Sequence, residues 1–546
     1  MQVNWFGISF PNTILTVRGG EKLSLIIKPS SKEFMKSNNI YTALFLGIIG
    51  ISSCASQSSE SIQTDVTIPS MKMTTDIPDG IESPNTINSE NLGELNFFDG
   101  VPTPKTAAQV YDYLDLNNAV DAYTKGIHIA SMEAMKKGLL SFGPANQTAL
   151  IFEELMDSKA LFLTANTTSV YMMSWLELAD EPMVIETPPD VLGIIDDHYF
   201  KYVADFGRLG PDKAQGGKFL ILPPGYEGDI PEGYFVSKSN TYGHWVIWRG
   251  FQKDGDPQPA VMATKSTFKI YPLSRKNNPP AMNFVNVSGK EFNTIHKMDE
   301  RIYEEINDVI QAEPANGENA EILGSLAAIG IRKGEEFKPD ERMQEILKEA
   351  SKIGSAIVRT QMSKPRSEYL YKFPGTQWLN PLAYKSYLFE YEGARLLDAR
   401  SAFHFYATGI TPAMSMKIIG KGSQYAIAYS DVDGNTFDGS KTYKFNVPAN
   451  PPMKDFWSFT IYDNQTRSML QTDQQFPGID NNKEGLILNE DGSWDIYIGP
   501  EAPQGFENNW IQTIPGKGWN TIFRLYGPLE PWFDGEWYPS DAVEVK

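Results

Sequence analysis

Acid–base chemistry in this chain would have to come from few, widely spaced residues. Histidine is the side chain whose charge changes closest to neutral pH, and the sequence contains five: His128, His198, His244, His296 and His404. Their spacing matches no metal-binding motif, so an active site built on them would need strands from distant parts of the chain. His198, His244 and His404 lie in or beside strand-like runs. With Asp463 they are the candidate catalytic residues, and no reaction is assigned to them.

Sequence motifs for nucleophilic, nucleotide-binding and metal-dependent catalysis do not occur. The chain lacks Gly-x-Ser-x-Gly, Gly-x-Gly-x-x-Gly, the P-loop and His-Glu-x-x-His. Its only cysteine, Cys54, excludes an intramolecular disulfide and a cysteine-based zinc site. The loop 430–439 spaces oxygen-bearing side chains as calcium ligands are spaced, but it lacks the glutamate of an EF-hand and is interpreted as a turn. We therefore expect no metal and no cofactor.

Two strand-like runs carry the side chains best suited to binding a small molecule. In residues 170–178 and 455–467, aromatic and aliphatic side chains alternate, which places them on one face of a strand. Aromatic faces can stack on an apolar or sugar-like ligand while polar side chains orient it. The alternative is a plain sandwich core with a salt bridge. The candidate ligand-binding residues are Asn166, Tyr171, Trp175, Trp457, Tyr462 and Arg467.

The elements that must position these residues form alternating helical and strand-rich blocks. Residues 106–140 space apolar side chains three and four apart, as in an amphipathic helix, and Asp340 stands near another helix start. Short apolar runs punctuated by Pro and Gly indicate strands, and Asp491-Gly492 predicts a hairpin turn. The predicted segments are a helical segment (96–147), a first strand-rich domain (148–288), a helical subdomain (289–396) and a second strand-rich domain (397–546).

The charge of the chain argues against a nucleic-acid partner. The 48 Lys and Arg against 68 Asp and Glu give a net charge of -20, with a pI of about 4.8. Phosphate backbones are bound by clustered Lys and Arg, and no basic stripe interrupts the acidic sequence. We expect no binding to nucleic acid.

The segment around Cys54 resembles the signal of a bacterial lipoprotein. Met35-Lys36 is a start-like methionine followed by a positive charge, and the apolar run 40–51 is shorter than the roughly 20 residues that span a bilayer. Residues 51–54, Ile-Ser-Ser-Cys, have the aliphatic, small, small, Cys order of a lipobox, in which the cysteine sulfur carries a diacylglycerol. Two or three acyl chains on one residue hold a protein on a membrane, since each buried methylene contributes about 0.8 kcal/mol.

This assignment divides the N-terminal region into three segments. We expect residues 1–34 to be an upstream extension before the true start at Met35, residues 35–53 to be the signal peptide, and residues 54–95 to be the lipidated Cys with a flexible, Ser/Thr-rich tether. Ala55 is not the Asp that resembles an inner-membrane retention signal. The expected location is therefore the outer membrane of a Gram-negative envelope, on its periplasmic or its exposed surface.

Six longer stretches carry a family resemblance: 97–115, 163–189, 216–231, 397–414, 454–478 and 507–535. Together they resemble a bacterial family that joins domain of unknown function 1254 to domain of unknown function 1214. The resemblance implies an α+β multidomain fold with two antiparallel, jelly-roll-like β-sandwich domains and an α-helical subdomain, and it implies no reaction. Related sequences often show Asn-x-Asp-Thr-x-Tyr, whereas residues 166–171 here place Thr168 where they have a carboxylate.

The leading functional hypothesis is a lipid-anchored envelope protein that binds an amphipathic or carbohydrate-like small molecule. The lipobox, the acidic body, the many aromatic residues and the missing catalytic motifs favour it. Its expected partners are a membrane, through the N-terminal lipid anchor, and a small-molecule ligand. Two alternatives stay open: an envelope hydrolase with a site of separated Asp, His, Tyr and Arg residues, and a structural or interaction scaffold.

Lipidation at Cys54 can be tested on the native protein. We expect the mature chain to begin at Cys54, to carry acyl chains on that residue, and to enter the detergent phase of a detergent partition, because several acyl chains bind a membrane stably. Mass spectrometry of the N-terminal peptide measures the modification. A peptide in which unmodified Cys54 is still joined to Ser53 would contradict the assignment.

Overall fold

The computed structural model describes residue 69, residues 71–380 and residues 382–546. The chain divides into two units, Met1–Pro78 and Asp79–Lys546. In the first unit, residues 69 and 71–78 are exposed and belong to no helix or strand. The predicted extension 1–34, the signal segment 35–53 and the lipidation site Cys54 lie outside the described residues.

A small antiparallel sheet precedes the longest helix. Its strands are β1 (Thr86–Ser89), β2 (Gly93–Phe98) and β3 (Val101–Pro102), so strands already form within the segment 54–95 predicted as a tether. Helix α1 (Pro104–Leu140) begins at Thr103, whose side-chain oxygen accepts a hydrogen bond from the Thr106 N–H at 3.3 Å. Proline fits the first helical position because it has no N–H to leave unpaired there. The helix predicted over 106–140 is confirmed.

The first β-domain consists of two facing sheets. The larger has the strand order β14-β4-β6-β12-β8-β9 and the smaller has the order β11-β10-β7-β13. Side chains of both sheets, among them Met172, Ile185, Phe219 and Trp248, form one core. The elements are β4 (Thr148–Ile151), β5 (Ala160–Leu161), β6 (Ser169–Glu177), β7 (Met183–Thr187), β8 (Val191–Asp197), β9 (Tyr202–Gly207), β10 (Gly217–Leu222), β11 (Phe235–Lys238), β12 (Gly243–Phe251), α2 (Gln258–Thr267), β13 (Lys269–Pro272), β14 (Asn283–Asn286) and β15 (Phe292–Asn293).

A layer of helices packs around α1 and covers the other face of the larger sheet. Tyr171 and Trp245 of that sheet share a core with Tyr123 of α1 and Tyr303 of the next helix. Helix α5 starts at its cap Asp340, whose carboxylate accepts the Met343 N–H at 2.8 Å. The elements are α3 (Ile302–Ala312), α4 (Ala320–Ala328), α5 (Glu341–Ser363), β16 (Glu390–Tyr391), β17 (Ala394–Arg395), α6 (Leu397–Tyr406) and α7 (Pro412–Ser415).

The second β-domain repeats the two-sheet arrangement. Its sheets have the orders β18-β24-β20-β21 and β23-β22-β19-β25, and Phe445, Trp457, Ile496 and Phe523 meet in the core between them. The elements are β18 (Ser423–Ala428), β19 (Thr442–Val447), β20 (Trp457–Asp463), β21 (Gly478–Asp480), β22 (Trp494–Gly499), β23 (Trp510–Gln512), β24 (Trp519–Tyr526), α8 (Glu530–Asp534) and β25 (Val543–Val545).

The fold class predicted from the sequence is confirmed: an α+β multidomain chain with two sandwich-like domains, largely antiparallel sheets and helices between them. One local prediction was right for the turn only: the Asp491-Gly492 turn forms, with Gly492 at a φ of +83°. Of the hairpin around Asp491-Gly492 only the second strand, β22, forms. The Asn509 amide binds both backbone groups of Ile487, at 2.8 and 2.9 Å, so this segment needs no strand partner.

Two glycines allow other helices to approach α1 closely. A Cβ at Gly354 of α5 would lie 2.5 Å from Cγ of Tyr123. A Cβ at Gly126 of α1 would lie 2.6 Å from Cδ1 of Ile306 on α3. The first contact is the more restrictive, because it meets the base of a fully buried aromatic ring rather than the end of a flexible chain.

A buried ion cluster joins the helices to the end of β8. The His198 ring is fully buried between Glu133 of α1 and Glu313, with N–O distances of 3.1 and 2.7 Å. Burial alone would lower the pKa of His198, but its hydrogen bonds to both glutamates raise it above the ordinary value of 6.5. The same bonds lower the pKa of both glutamates below 4.5 although burial opposes this. The hydrogen bonds of the cluster therefore favour the charged forms of all three side chains.

We expect Gly354→Ala to lower the free energy of unfolding by about 1–3 kcal/mol, since the added methyl group overpacks the contact with Tyr123. Urea denaturation followed by circular dichroism measures the change. Gly324→Ala on α4 is the matched control, because nothing lies within 4 Å of its Cβ. There we expect no loss of stability, as alanine is the better helix former. Equal stability of both variants would contradict the close contact.

We expect His198→Gln to lower the free energy of unfolding by about 3–5 kcal/mol, because two buried carboxylates lose their cation. Because the pKa of His198 is raised in the folded protein, its protonation stabilises the fold fully below pH 6.5. This contribution is lost as the pH rises through the raised pKa. Because the pKa values of the two glutamates are lowered, their ionisation stabilises the fold fully above pH 4.5. This contribution is lost as the pH falls through the lowered pKa values. The difference from the parent protein should therefore be largest between pH 4.5 and 6.5.

Thermal unfolding across pH 4–9 tests this profile. Lys137→Ala removes the exposed partner of Glu133 and serves as the control, with an expected loss below about 1 kcal/mol. A difference that does not vary with pH would show that His198 acts through packing and not through its charge.

Candidate functional site

A cavity of about 140 Å³ lies where the two β-domains face each other. One wall is the face of the larger sheet of the first domain, the second is the β18–β24 face of the second domain, and the third is α6 with residues 407–414. Domain interfaces are a common location for small-molecule sites.

The first wall follows from strand alternation. Side chains two residues apart on a strand point to the same face, so Trp245, Ile247 and Arg249 of β12 all reach the cavity, while Trp248 packs into the sandwich core. Arg249 pairs in register with Tyr171 of β6, whose ring also lines the cavity. One aromatic, one aliphatic and one cationic side chain thus follow each other along the same strand.

The second wall is built by the same rule on two paired strands. Tyr425 of β18 pairs with Arg524 of β24, and Ile427 pairs with Ile522. All four side chains line the cavity, whereas Phe523 between them belongs to the sandwich core. This wall also combines an apolar part with a cationic end.

Two buried carboxyl groups hold the third wall in place. Asp196 accepts the Ile410 N–H at 2.8 Å, and Asp205 accepts the Thr411 hydroxyl at 2.8 and 3.0 Å. Burial raises the pKa of Asp196 well above its usual value and that of Asp205 to about 6. Gly409 has a φ of +77°, and a Cβ there would lie 2.9 Å from an isoleucine carbon of β8. The segment passes the sheet this closely because it carries glycine there.

Asn166 organises the loop that enters β6. Its Oδ1 accepts the N–H and hydroxyl of Thr168, both at 3.0 Å, and those of Ser169 at 3.1 and 2.9 Å. Its Nδ2 donates to the hydroxyl oxygen of Tyr171 at 2.8 Å. Thr168 also contacts the Tyr526 hydroxyl at 3.2 Å. The position where related sequences have a carboxylate is thus part of a neutral hydrogen-bond network here.

Several polar atoms of the cavity wall lack a hydrogen-bond partner among the described residues. They are Nε1 of Trp245 and the hydroxyl oxygens of Thr408 and Ser423. Buried polar groups are nearly always hydrogen-bonded. Unpartnered atoms in the wall of a cavity are therefore positions where a bound molecule or water can complete the bonding.

Two of the six predicted ligand-binding residues, Asn166 and Tyr171, line the cavity. Tyr462 lies behind its wall and accepts a hydrogen bond from Arg524 at 2.6 Å. The other three lie elsewhere: Trp175 packs edge-on against His198, Trp457 belongs to the second sandwich core, and Arg467 donates to the Phe405 carbonyl at 2.6 Å.

The four candidate catalytic residues lie outside the cavity wall. His198 belongs to the ion cluster. His244 contacts the Ser239 hydroxyl at 2.7 Å, and burial lowers its pKa to about 4. His404 is buried against Phe200 and Phe389 at ring distances of 4.7 and 5.4 Å. Asp463 accepts two backbone N–H groups of its own turn and pairs with Lys517. The structure does not bring these four side chains together.

No group of three or more His, Cys, Asp or Glu side chains is placed to hold a metal ion within residues 71–380 and 382–546. In the loop 430–439, the Asp431 carboxylate accepts the N–H groups of Asp433 and Asn435 at 3.1 and 2.9 Å, as in a turn. Among the helices of the described part, none has the length and apolar character to cross a bilayer.

Most residues of the cavity wall were not among the predicted site residues, and the missing ones include Trp245, Arg249, Tyr425 and Arg524. For the two arginines a signal was present. Arg249 in "HWVIWRGF" and Arg524 in "NTIFRLYG" interrupt otherwise apolar runs that read as buried strands. A cation in such a run has to meet a polar partner or a ligand. No local signal indicates that these two strands, far apart in sequence, face the same cavity.

Comparison with known proteins supports the fold and leaves the activity open. The crystal structure of the VPA0106 protein from Vibrio parahaemolyticus is 19% identical with a TM-score of 0.50, over 79% of this chain and 100% of that chain. An uncharacterized protein from Burkholderia cenocepacia is 12% identical with a TM-score of 0.36, over 81% of this chain and 97% of its own. No curated protein matches the chain.

Two regions match families described as "Protein of unknown function". Residues 146–272 match DUF1254 and residues 422–530 match DUF1214, which confirms the resemblance seen in the sequence. The first region includes the wall formed by β6, β8 and β12, and the second includes the wall formed by β18 and β24. The chain therefore contains a DUF1254 region followed by a DUF1214 region.

Proposed function

We infer that this protein binds a small amphipathic molecule in the cavity between its two β-domains. The observation that carries this proposal is the cavity wall itself, which combines apolar side chains such as Ile247, Ile427 and Ile522 with polar and cationic ones such as Ser423 and Arg249. Ligand sites typically combine an apolar lining with a small number of placed polar groups. A molecule with an apolar body and one polar end fits this lining.

The lining favours an amphipathic ligand over a carbohydrate. A sugar presents hydroxyl groups along its whole length and needs polar partners on all sides, together with accessible aromatic faces. Trp175 and Trp457, the aromatic residues proposed for stacking, are 2% and 0% exposed and pack inside hydrophobic cores. The cavity wall also contains the aliphatic side chains of Ile247, Ile427 and Ile522, which offer no hydrogen bonds to a sugar.

The same geometry favours binding over hydrolysis. A hydrolase site needs an acid or base beside the substrate, within hydrogen-bond reach of the reacting atom. Asp205 is the one carboxyl group of the cavity wall, and its oxygens are bound to Thr411 and Tyr202. His198 and His244 are hydrogen-bonded to other protein groups away from the cavity.

The proposal includes a location at the cell envelope. It is supported by the sequence Ile-Ser-Ser-Cys at residues 51–54 and the apolar run before it. A lipid anchor at Cys54 and the tether after it would let the body formed by residues 79–546 bind its ligand close to a membrane, in the outer membrane's periplasmic or exposed layer. Amphipathic molecules are the main constituents of a membrane, so such a ligand would be available there.

Binding can be measured with N-phenyl-1-naphthylamine, an uncharged apolar probe whose fluorescence rises when it leaves water. We expect saturable binding of this probe to the full chain. Ile247→Trp should weaken it by about tenfold or more, equivalent to about 1.4 kcal/mol, because the larger ring occupies the cavity from β12. Ala413→Phe should do the same from the third wall, where Ala413 lines the cavity.

The matched control is Val236→Trp, which adds the same ring at an exposed position of β11. Its probe affinity should equal that of the parent protein. Thermal unfolding of each variant establishes that it is folded. Probe binding that is unchanged in both cavity variants would contradict a ligand site between the domains.

A further inference from the structure

The cavity has the opposite charge balance to the chain as a whole. The chain carries a net charge of -20. The cavity wall contains three cationic side chains, Arg249, Arg524 and Lys421, and one carboxyl group, Asp205. We propose that the polar end of the ligand is an oxyanion, a carboxylate or a phosphate ester, that binds to Arg249 while the apolar body lies between the two sheets. This inference rests on the proposed function, since it assigns the head group of the same ligand.

Arg249 is the more buried of two cationic wall residues that have no ion pair among the described residues, the other being the exposed Lys421. In residues 71–380 and 382–546 the guanidinium of Arg249 has no ion-pair partner within 4 Å, and the hydroxyl-bearing rings of Tyr171 and Tyr425 line the same cavity. A guanidinium presents a planar fork of N–H donors that matches the two oxygens of a carboxylate or phosphate. A partly buried cation without a counter-ion has lost part of its hydration, and an anionic partner lowers the free energy of this state.

Arg524 adds positive charge but is already held by the protein. Its Nη2 donates to the carbonyl oxygens of Thr164 and Ala165 at 2.7 and 3.2 Å, and its Nη1 donates to the Thr460 hydroxyl at 3.1 Å. All of these acceptors are neutral, so the bonds fix the side chain without cancelling its charge. Arg524 therefore supports an anion at Arg249 through its electric field.

Neutral donors stand beside the two arginines. The Tyr171 hydroxyl accepts from Asn166 at 2.8 Å, which leaves its own proton free to be donated. Burial raises the pKa of Tyr171 above its usual range, so the proton stays in place at neutral pH. The hydroxyl of Ser423, itself 9% exposed, has no partner among the described residues and also lines the cavity. Both groups can complete the coordination of an oxyanion.

The position of Arg249 sets the orientation of the ligand. Arg249 also lines a smaller adjoining cavity, together with Ser423, Arg208 and the carboxyl group of Asp455. Asp205 lies on β9 opposite Ile194, whereas Arg249 lies opposite Leu192, so the Asp205 carboxyl group and the guanidinium sit at different places on the sheet. The head group therefore lies at Arg249 on the main-cavity side, and the apolar chain extends past Ile247 toward the third wall.

Displacement of N-phenyl-1-naphthylamine by eight-carbon ligands tests the head group on the full chain. We expect octanoate and octyl phosphate to displace the probe about 10–100-fold more strongly than 1-octanol or octylamine, as for a charge-assisted hydrogen-bonded pair. The comparison of octanoate with octyl phosphate distinguishes a fatty-acid-like ligand from a phospholipid-like one. Equal displacement by all four ligands would overturn the anion site.

Arg249→Gln should remove the preference for anionic ligands and leave the affinity for 1-octanol unchanged. Arg249→Lys should retain part of the preference for anionic ligands. Arg342→Gln is the matched control, because Arg342 of α5 pairs with Asp112 and Asp115 at 2.6 and 2.7 Å and lines neither cavity. Its ligand preference should equal that of the parent protein. An anion preference that survives Arg249→Gln would overturn the assignment to this residue.

The two proposals fail in different ways. If the cavity holds no ligand, the uncharged probe and 1-octanol do not bind to the parent protein. If only the head group is wrongly assigned, both still bind, and octanoate binds no better than 1-octanol.

Discussion

The side chain of Arg524 fixes the two β-domains against each other. It projects from β24 of the second domain and bonds to the carbonyl oxygens of Thr164 and Ala165 in the first. Tyr462, which accepts from Arg524 at 2.6 Å, also donates to the Ala165 carbonyl. Removing one partner of such a buried charged network leaves the others unsatisfied. The facing sheets are therefore held at one distance, and the cavity exists because this distance exceeds what the side chains between them fill.

The larger sheet of the first domain is buried on both faces, and this determines the pattern of polar and apolar residues along its strands. In β6, every residue from Ser169 to Leu176 is buried, because one face packs in the sandwich and the other packs against helices and the second domain. Such strands lose the alternation of polar and apolar residues that marks a solvent-facing sheet. Polar side chains in them need partners inside the protein, as Asp196 finds at Ile410.

Local features of the fold were predictable from the sequence, and the contacts between distant segments were not. The spacing in residues 106–140 and the cap at Asp340 indicated their helices, because both signals lie within a few turns. Alternation placed Tyr171 and Trp175 on one face correctly, yet only Tyr171 reaches the cavity, since Trp175 lies further along β6 beside His198. Strand periodicity specifies a face but not what packs against it. That depends on which domain lies opposite.

The acidity of the whole chain and the basic character of its cavity act at different distances. In physiological salt a charge is screened beyond about 8 Å, so the net charge of -20 repels an anion only as it nears the surface. Inside the cavity Arg249 would contact the proposed anion and Arg524 would act on it through its field, in a less polar medium where each interaction is stronger. The acidic surface therefore slows the approach of an anionic amphiphile without weakening the bound state, and raising the salt concentration relieves the repulsion first. A site of this kind selects its ligand through buried contacts and not through long-range attraction.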